Sequence, residues 1–366
     1  MNQRAAFMTV DFIKRKGVRF WGGINGMELA GFYRQMATMV NAGVPLLRCI
    51  DVLEGQVRNP VLRDSVNNIR RGLMQGFPLW KSMSQSPEVF STFHTQMVAS
   101  GEAGGFLGAS LEKLAFHQEK ETEFSNRIRS AALYPMIVGL FTLVVLVFLA
   151  SFVIPQFAAI FREQGVELPL VTRVILQMGS TIINYGWMLL LGLLVLSLLI
   201  IKWRSSNNGR LLIDRLFLDL PIIGSFVKKT AAARITGVMG TLVQSGIPVV
   251  DSLTLAASLA DNRVITKSIE RAAMQIYSGQ DITAPLTESR VFEAMAIQMI
   301  AVGEESGSLG EVLNKLSEYY ESEVNRLMGT TVALLEPALV VFLALIVGLI
   351  MASNVMPMLD LMNSLW

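Results

Sequence analysis

The chain has 366 residues, of which 52% are hydrophobic and 16% charged, against about 25% charged in an average soluble domain. Its mean hydropathy of +0.48 places part of it in lipid, and a formal net charge of +2 is too small to imply nucleic acid as a partner. The single cysteine, Cys49, excludes an intrachain disulfide and is compatible with a reducing compartment.

The N-terminus lacks a continuous apolar run, so no cleaved signal peptide is expected. Residues 1–27 read as a basic arm in which Lys14, Arg15, Lys16 and Arg19 stand beside Phe20 and Trp21. Such a segment is either a loosely docked arm or one that touches a membrane surface or a partner. A first helix follows, with Leu29, Phe32, Met36, Met39 and Val40 recurring at three and four. Gly43 stands where a left-handed residue would stop that helix, and Pro45 near the first turn of the next. A third helix fits VLRDSVNNIRRGLMQG, with Val61, Leu62, Val66, Ile69 and Leu73 inward. A short helix fits FPLWKSMSQ and a fifth fits PEVFSTFHTQMVASG. The phrase SGEAGGFLGASLEKL, beginning at Ser100, then marks a joint, with Gly101 to Gly105 permitting a tight turn. Leu107 and Leu111 pack a sixth helix, and Glu102, like its counterpart Glu304, is expected to cap or charge-complement the N-terminus of the helix that follows it. No window shows strand alternation.

From Arg129 to Arg162 the interior of the sequence carries no charge, and its apolar centre runs from Leu133 to Pro155. A second uncharged stretch lies between Arg173 and Lys202, and a third between Glu336 and Asp360. Each exceeds the roughly 20 residues that cross a bilayer core. Three membrane helices are expected, at 131–155, 174–201 and 336–357, with a loop at 156–173 and a tail at 358–366.

The second half repeats the first. NAGVPLL at Asn41 to Leu47 aligns with QSGIPVV at Gln244 to Val250, an offset of 203 positions, and Gly76 falls on Gly279. After one deletion the offset is 202: Gly101, Glu102, Gly105 and Leu107 fall on Gly303, Glu304, Gly307 and Leu309. Glu119 and Glu121 fall on Glu321 and Glu323, while Pro135 and Pro155 fall on Pro337 and Pro357. Gly246 and Pro248 repeat the punctuation of Gly43 and Pro45. One register running through a helical module and into a span indicates duplication. The middle span matches nothing in the repeat and returns the chain for the second copy. Lys and Arg cluster before the first span and after the second, so the positive-inside rule places modules 28–130 and 202–335 in the cytoplasm and the loop and tail outside. The expected fold is all-α: a polytopic membrane protein with two repeated cytoplasmic six-helix bundles and three transmembrane helices.

Little chemistry accompanies this architecture. The doubled glycine phrase lacks the Gly-Lys-Ser/Thr ending and the preceding strand of a phosphate-binding loop, so it reads as a structural joint. His94 and His117 have no metal-site spacing and are expected at the surface or partly packed. Glu119, Glu121 and Glu123, with Glu321 and Glu323, are either a solvated helix face or ligands for a divalent cation. No nucleophilic triad stands out, and the spans contain no Asp, Glu, Lys, Arg or His to relay ions. No catalytic, cofactor or metal residue is assigned. The candidate structural and interaction residues are Gly43, Pro45, Gly101, Glu102, Gly105, Leu107 and Pro135, with Gly246, Pro248, Gly303, Glu304, Gly307, Leu309 and Pro337. A membrane protein without catalytic residues that presents two related helical bundles suits a platform that gathers partners; a small-molecule transporter is the alternative, although three spans offer it little polar pathway.

These paired motifs, with Tyr134-Pro135 and Glu336-Pro337, resemble the type II secretion F domain over residues 28 to 360. That family comprises inner-membrane platform proteins of type IV pilus and type II secretion machines. The resemblance implies a non-enzymatic platform coupling a cytoplasmic hexameric ATPase to the lifting of pilin subunits from the membrane. It also implies self-association and contact with other inner-membrane assembly proteins. The short N-terminal region is similar to that of type IVb and conjugative thin-pilus platforms. Gly104 and Phe106 stand where the second phrase has Ser306 and Ser308, a departure from the tighter motif.

Overall fold

The fold was analysed in a computed structural model that describes residues 24–153, 207–221 and 223–364, together with 156, 188, 191, 192, 195 and 202. Most of the expected second span, of the loop before it and of the basic arm lies outside the described residues. Among the described residues the secondary structure is helical, with no strand.

The first copy folds as α1 (Gly26–Asn41), α2 (Leu46–Gln56), α3 (Pro60–Met74), α4 (Leu79–Met83), α5 (Thr92–Gly104) and α6 (Leu107–Phe148). A π-helical turn, Leu149–Val153, continues α6. After α7 (Asn207–Asp219), the second copy follows as α8 (Ile223–Val243), α9 (Val249–Ala257), α10 (Arg263–Tyr277), α11 (Thr283–Ser289), α12 (Ala294–Glu305) and α13 (Leu309–Ser364).

The same local chemistry ends and starts helices in both copies. Asn59 and Asn262 sit at the N-caps of α3 and α10, and each carboxamide oxygen accepts two backbone N–H groups of the first turn. Gly43 and Gly246 adopt φ of 78° and 79°, which lets the N–H of the next residue turn back to the Met39 and Leu242 carbonyls. Gly76 and Gly279, then Gly105 and Gly307, repeat the left-handed stop. The fifth helix begins at Thr92, later than its apolar pattern suggests. The N–H groups of Val89 and Phe90 turn back onto the Ser86 carbonyl, and both side chains enter the core before Ser91 opens the helix.

The chain divides into two compact units, one formed within Met1–Ser125 and Lys228–Glu321, the other within Asn126–Val227 and Ser322–Trp366. The first unit contains both apolar cores. Met36, Ile50, Leu62 and Val66 are fully buried in the first copy, and Met239, Leu253, Ile265 and Ile269 fill the equivalent positions of the second. Each such side chain contributes about 1.5–3 kcal/mol of hydrophobic stabilisation. In the second unit the apolar side chains face outward: Leu133, Ile137, Leu140, Phe141 and Val144 on α6, and Val340, Phe342 and Leu345 on α13, are exposed. Among the described residues two helices, over Leu107–Val145 and Leu309–Gly348, are long and apolar enough to cross a membrane. At 1.5 Å per residue α6 extends about 63 Å and α13 about 84 Å, well beyond a 30 Å hydrocarbon layer. Pro135 lies inside α6, and Pro337 lies inside α13.

Candidate functional site

The doubled glycine phrase builds a close-packed joint. Gly105 and Gly307, with φ of 74° and 68°, end α5 and α12. Gly101 and Gly303 are not turn residues. Both are helical and buried, and a Cβ on Gly101 would lie 2.3 Å from Ser110 Oγ and 3.2 Å from the Leu107 Cα. A Cβ on Gly303 would meet Val312 less severely, at 3.0 Å, and the Leu309 Cα at 3.2 Å. These glycines let the start of α6 and of α13 lie against the preceding helix. Leu107 and Leu309 open those long helices.

The expected role of Glu102 is corrected by the geometry. Its carboxylate turns away from the following helix and accepts the N–H groups of Leu79 and Trp80, at 3.0 and 3.4 Å, at the start of α4. Glu304 does not repeat this role: among the described residues it makes no such capping bond. Asp281 stands where the first copy has Pro78, and Ile282 caps α11 without a side-chain bond. Partial burial first, then the charges of Asp281 and Glu305, raise the Glu304 carboxyl above its ordinary range.

Pro45 and Pro248 occupy the N-caps of α2 and α9. The two copies meet at the turn before Pro248. Lys113 on α6 donates to the Gln244 carbonyl at 3.0 Å, and its ammonium lies 3.3 Å from Ser245 Oγ. Ser100 on α5 donates to the Ser245 carbonyl at 3.0 Å. Along the same seam Arg234 of α8 lies 2.9 Å from Glu121 and also pairs with Asp261. Burial raises the Glu121 carboxyl above its ordinary value, and Arg234 opposes that shift. Within the first copy, Arg34 reaches Glu119 with two bonds, at 3.2 and 2.7 Å, tying α1 to α6.

These groups line a cleft of about 530 Å³ between α1, α6, α8 and α13, which also holds Glu112, Lys120, Glu318 and Glu321. Its cations and carboxylates are largely matched across helices, an arrangement that fixes the copies together. Among the described residues no three His, Cys, Asp or Glu side chains converge as a metal site. Of the acidic positions, Glu119, Glu121 and Glu323 pair with Arg34, Arg234 and Arg326. His94, expected at the surface or partly packed, is buried: its ring packs beside Tyr33 and Phe93, and its Nδ1 accepts the Ser91 N–H. Burial, with His117 nearby, lowers its pKa to about 4, and burial lowers that of His117 to about 4 as well. Arg34, Lys113 and Arg234 were not singled out by the sequence reading. Their only signal is a cation on an otherwise apolar or small-residue helix face, as in AAARITG around Arg234.

Residues 32–155 and 235–357 each match the family described as type II secretion system protein F. The two segments begin 203 positions apart and end 202 apart, which is the register of the repeat. Among curated relatives, the type IV pilus assembly protein PilC of Myxococcus xanthus is 34% identical over 346 residues, covering 94% of this chain and 83% of the relative. PilC of Thermus thermophilus is 35% identical, covering 92% of this chain and 83% of the relative. Type II secretion system protein F of Vibrio cholerae is 29% identical, covering 96% and 86%. Pilus and secretion proteins both occur among them, which supports the family without supporting a type IVb subtype. By both matched segments and by these relatives, the chain belongs to the type II secretion system protein F family.

Proposed function

We propose that the chain is the inner-membrane platform protein of a type IV pilus or related secretion filament machine. The observation that carries this reading is the doubled family segment, each copy a helical module whose last helix becomes an exposed apolar stretch long enough to cross a membrane. A protein so built gathers partners through its modules and performs no bond chemistry of its own. The relatives' names, pilus assembly and type II secretion, support that role.

On this reading the modules at 28–130 and 202–335 are six-helix bundles in the cytoplasm. Three spans, at 131–155, 174–201 and 336–357, leave the loop and C-terminus in the periplasm, with the arm 1–27 inside. The charge asymmetry around the spans supports that orientation. The hexameric assembly ATPase docks on residues 1–130, pilin subunits meet the spans, and copies associate with one another and with other inner-membrane assembly proteins. The joint residues around Gly101, Glu102, Gly303 and Glu304 transmit movement between the short helices and the spanning ones.

A strain deleted for this chain, scored for surface filaments and for secreted protein, tests the proposal. Loss of filaments alone assigns a pilus, and loss of secretion alone assigns a secretion system. Loss of neither sinks the platform reading.

A further inference from the structure

The contact between the two copies within one chain is one-sided. The first copy contributes Ser100 and Lys113, and the second contributes the turn after α8. Because the copies are repeats, each also carries the surface that the other uses. The second copy has Val302 and Lys315 where the first has Ser100 and Lys113. The first has Asn41, Ala42 and Pro45 where the second has Gln244, Ser245 and Pro248. Were the contact twofold, Lys315 would reach Asn41 in the same chain. Instead Lys315 points to solvent, its side chain 66% exposed and paired with Glu318 at 4.0 Å on its own helix.

The turn shows why a lysine is wanted there. In a continuing helix the N–H four residues on would satisfy the carbonyl of Gln244, but that residue is Pro248, which has no N–H. The Lys113 ammonium supplies the missing donor, at a helix C-terminus where positive charge is favoured. Pro45 leaves the Asn41 carbonyl in the same condition. Among the described residues nothing donates to it, and Asn41 and Ala42 are exposed. The apolar surroundings match as well. Val302 is 62% exposed at the place of Ser100, and Leu47, at the start of α2 beside the free turn, is 40% exposed. The chain thus presents an unused lysine and valine on one side and an unused carbonyl and leucine on the other.

We infer that copies of this chain associate head to tail: Lys315 and Val302 of one copy seat on the Asn41–Leu47 turn of the next, reproducing the contact that Lys113 and Ser100 make inside the chain. A one-sided contact of this kind propagates into a ring or an open row. The Arg234–Glu121 pair is not reproduced, because Gly31 stands at the position equivalent to Arg234. The contact between chains is therefore weaker than the one within, and reversible. This inference rests on the self-association in the proposed function and gives it a surface, argued from the repeat geometry.

The test uses the full chain in membranes and a short homobifunctional thiol reagent. The native Cys49 is fully buried and stays in place. One population carries Ala42→Cys, a second carries Val302→Cys, and the two are co-expressed. A third carries Ser100→Cys with Ser245→Cys as the control within one chain. The expected result is a covalent dimer in the co-expressed sample and an internally bridged monomer in the control. A bridged control without any Ala42→Cys to Val302→Cys dimer overturns the inference. So does a dimer formed by Ala42→Cys alone, which would report a twofold contact. As a second readout, Lys315→Glu in the detergent-solubilised chain is expected to shift sedimentation toward the monomer, and an unchanged profile counts against the role of Lys315.

Discussion

The Glu102 carboxylate accepts the Leu79 N–H at 3.0 Å, so the last turn of α5 holds the first turn of α4 from 23 positions along the chain. The short α4 has no side-chain cap of its own, since Pro78 occupies its N-cap. Glu102→Ala therefore exposes two N–H groups and is expected to cost about 1–2 kcal/mol. Glu304→Ala is expected to cost little, because no equivalent cap is lost and a carboxylate facing Asp281 is removed. Urea midpoints of the two variants in detergent, at unchanged slope, measure the difference. Equal losses would show that the two copies use this glutamate alike.

Gly101 is expected to tolerate no side chain. A methyl group there meets Ser110 Oγ and Cβ at 2.3 and 2.6 Å, so Gly101→Ala forces α5 and α6 apart at a typical cost of about 1–3 kcal/mol. Adding Ser110→Gly removes the clashing atoms and is expected to recover part of the loss. Gly105→Ala meets no atom, but a left-handed φ of 74° costs an alanine about 1–2 kcal/mol. Ser110→Gly does not rescue that variant, and its melting curve against that of the Gly101 pair separates crowding from backbone strain.

The contrast between Gly101 and Gly105 marks how far the sequence could be read. Helix stops were legible because they are local: a glycine followed by Pro or an apolar run permits few conformations, and the repeat reported each one twice. The helical modules and the apolar stretches were legible for the same reason, as their periodicity is written along the chain. What depends on distant partners was not. Glu102 looked like a cap for the helix beside it, yet its nearest free N–H groups belong to Leu79 and Trp80. His94 lies on a stretch whose pattern leaves it neutral between core and surface, and Tyr33, from another helix, packs against its ring. Lys113 is an ordinary lysine until the proline-ended turn of the other copy is brought to it.

Arg234 joins the copies through a carboxylate that is itself partly desolvated. Arg234→Ala leaves Glu121 with less to offset its burial and is expected to cost about 1–3 kcal/mol. Glu121→Gln on its own is expected to cost less, because it removes the charge that needs a partner. In the double variant the losses should not add, and a coupling of about 1 kcal/mol or more in a double-mutant cycle is the expected outcome. Strict additivity would mean that the pair is a surface contact of no energetic consequence.

His94, which is buried, and His117, which is half-buried, set a pH dependence whose sign follows from their environment. His94 has a pKa of about 4 in the fold, against an ordinary value of 6.5, because burial disfavours the imidazolium. Protonation would also place a proton on the Nδ1 that accepts the Ser91 N–H. Between those two values the unfolded chain binds more protons than the folded one, so stability is lost as pH falls from about 6.5 to about 4 and is unaffected by this group above that window. The full loss from His94 is about 3 kcal/mol, and His117, lowered to about 4 by burial, acts with the same sign. Urea midpoints of the detergent-solubilised chain at about pH 7 and about pH 5 should therefore differ, with the lower pH less stable. His94→Gln retains an acceptor for Ser91 but does not titrate, and is expected to flatten the dependence in part. His94→Gln with His117→Gln is expected to flatten it further. A slope as steep in the double variant as in the parent would place the acid sensitivity in the carboxylate pairs at the module seam instead.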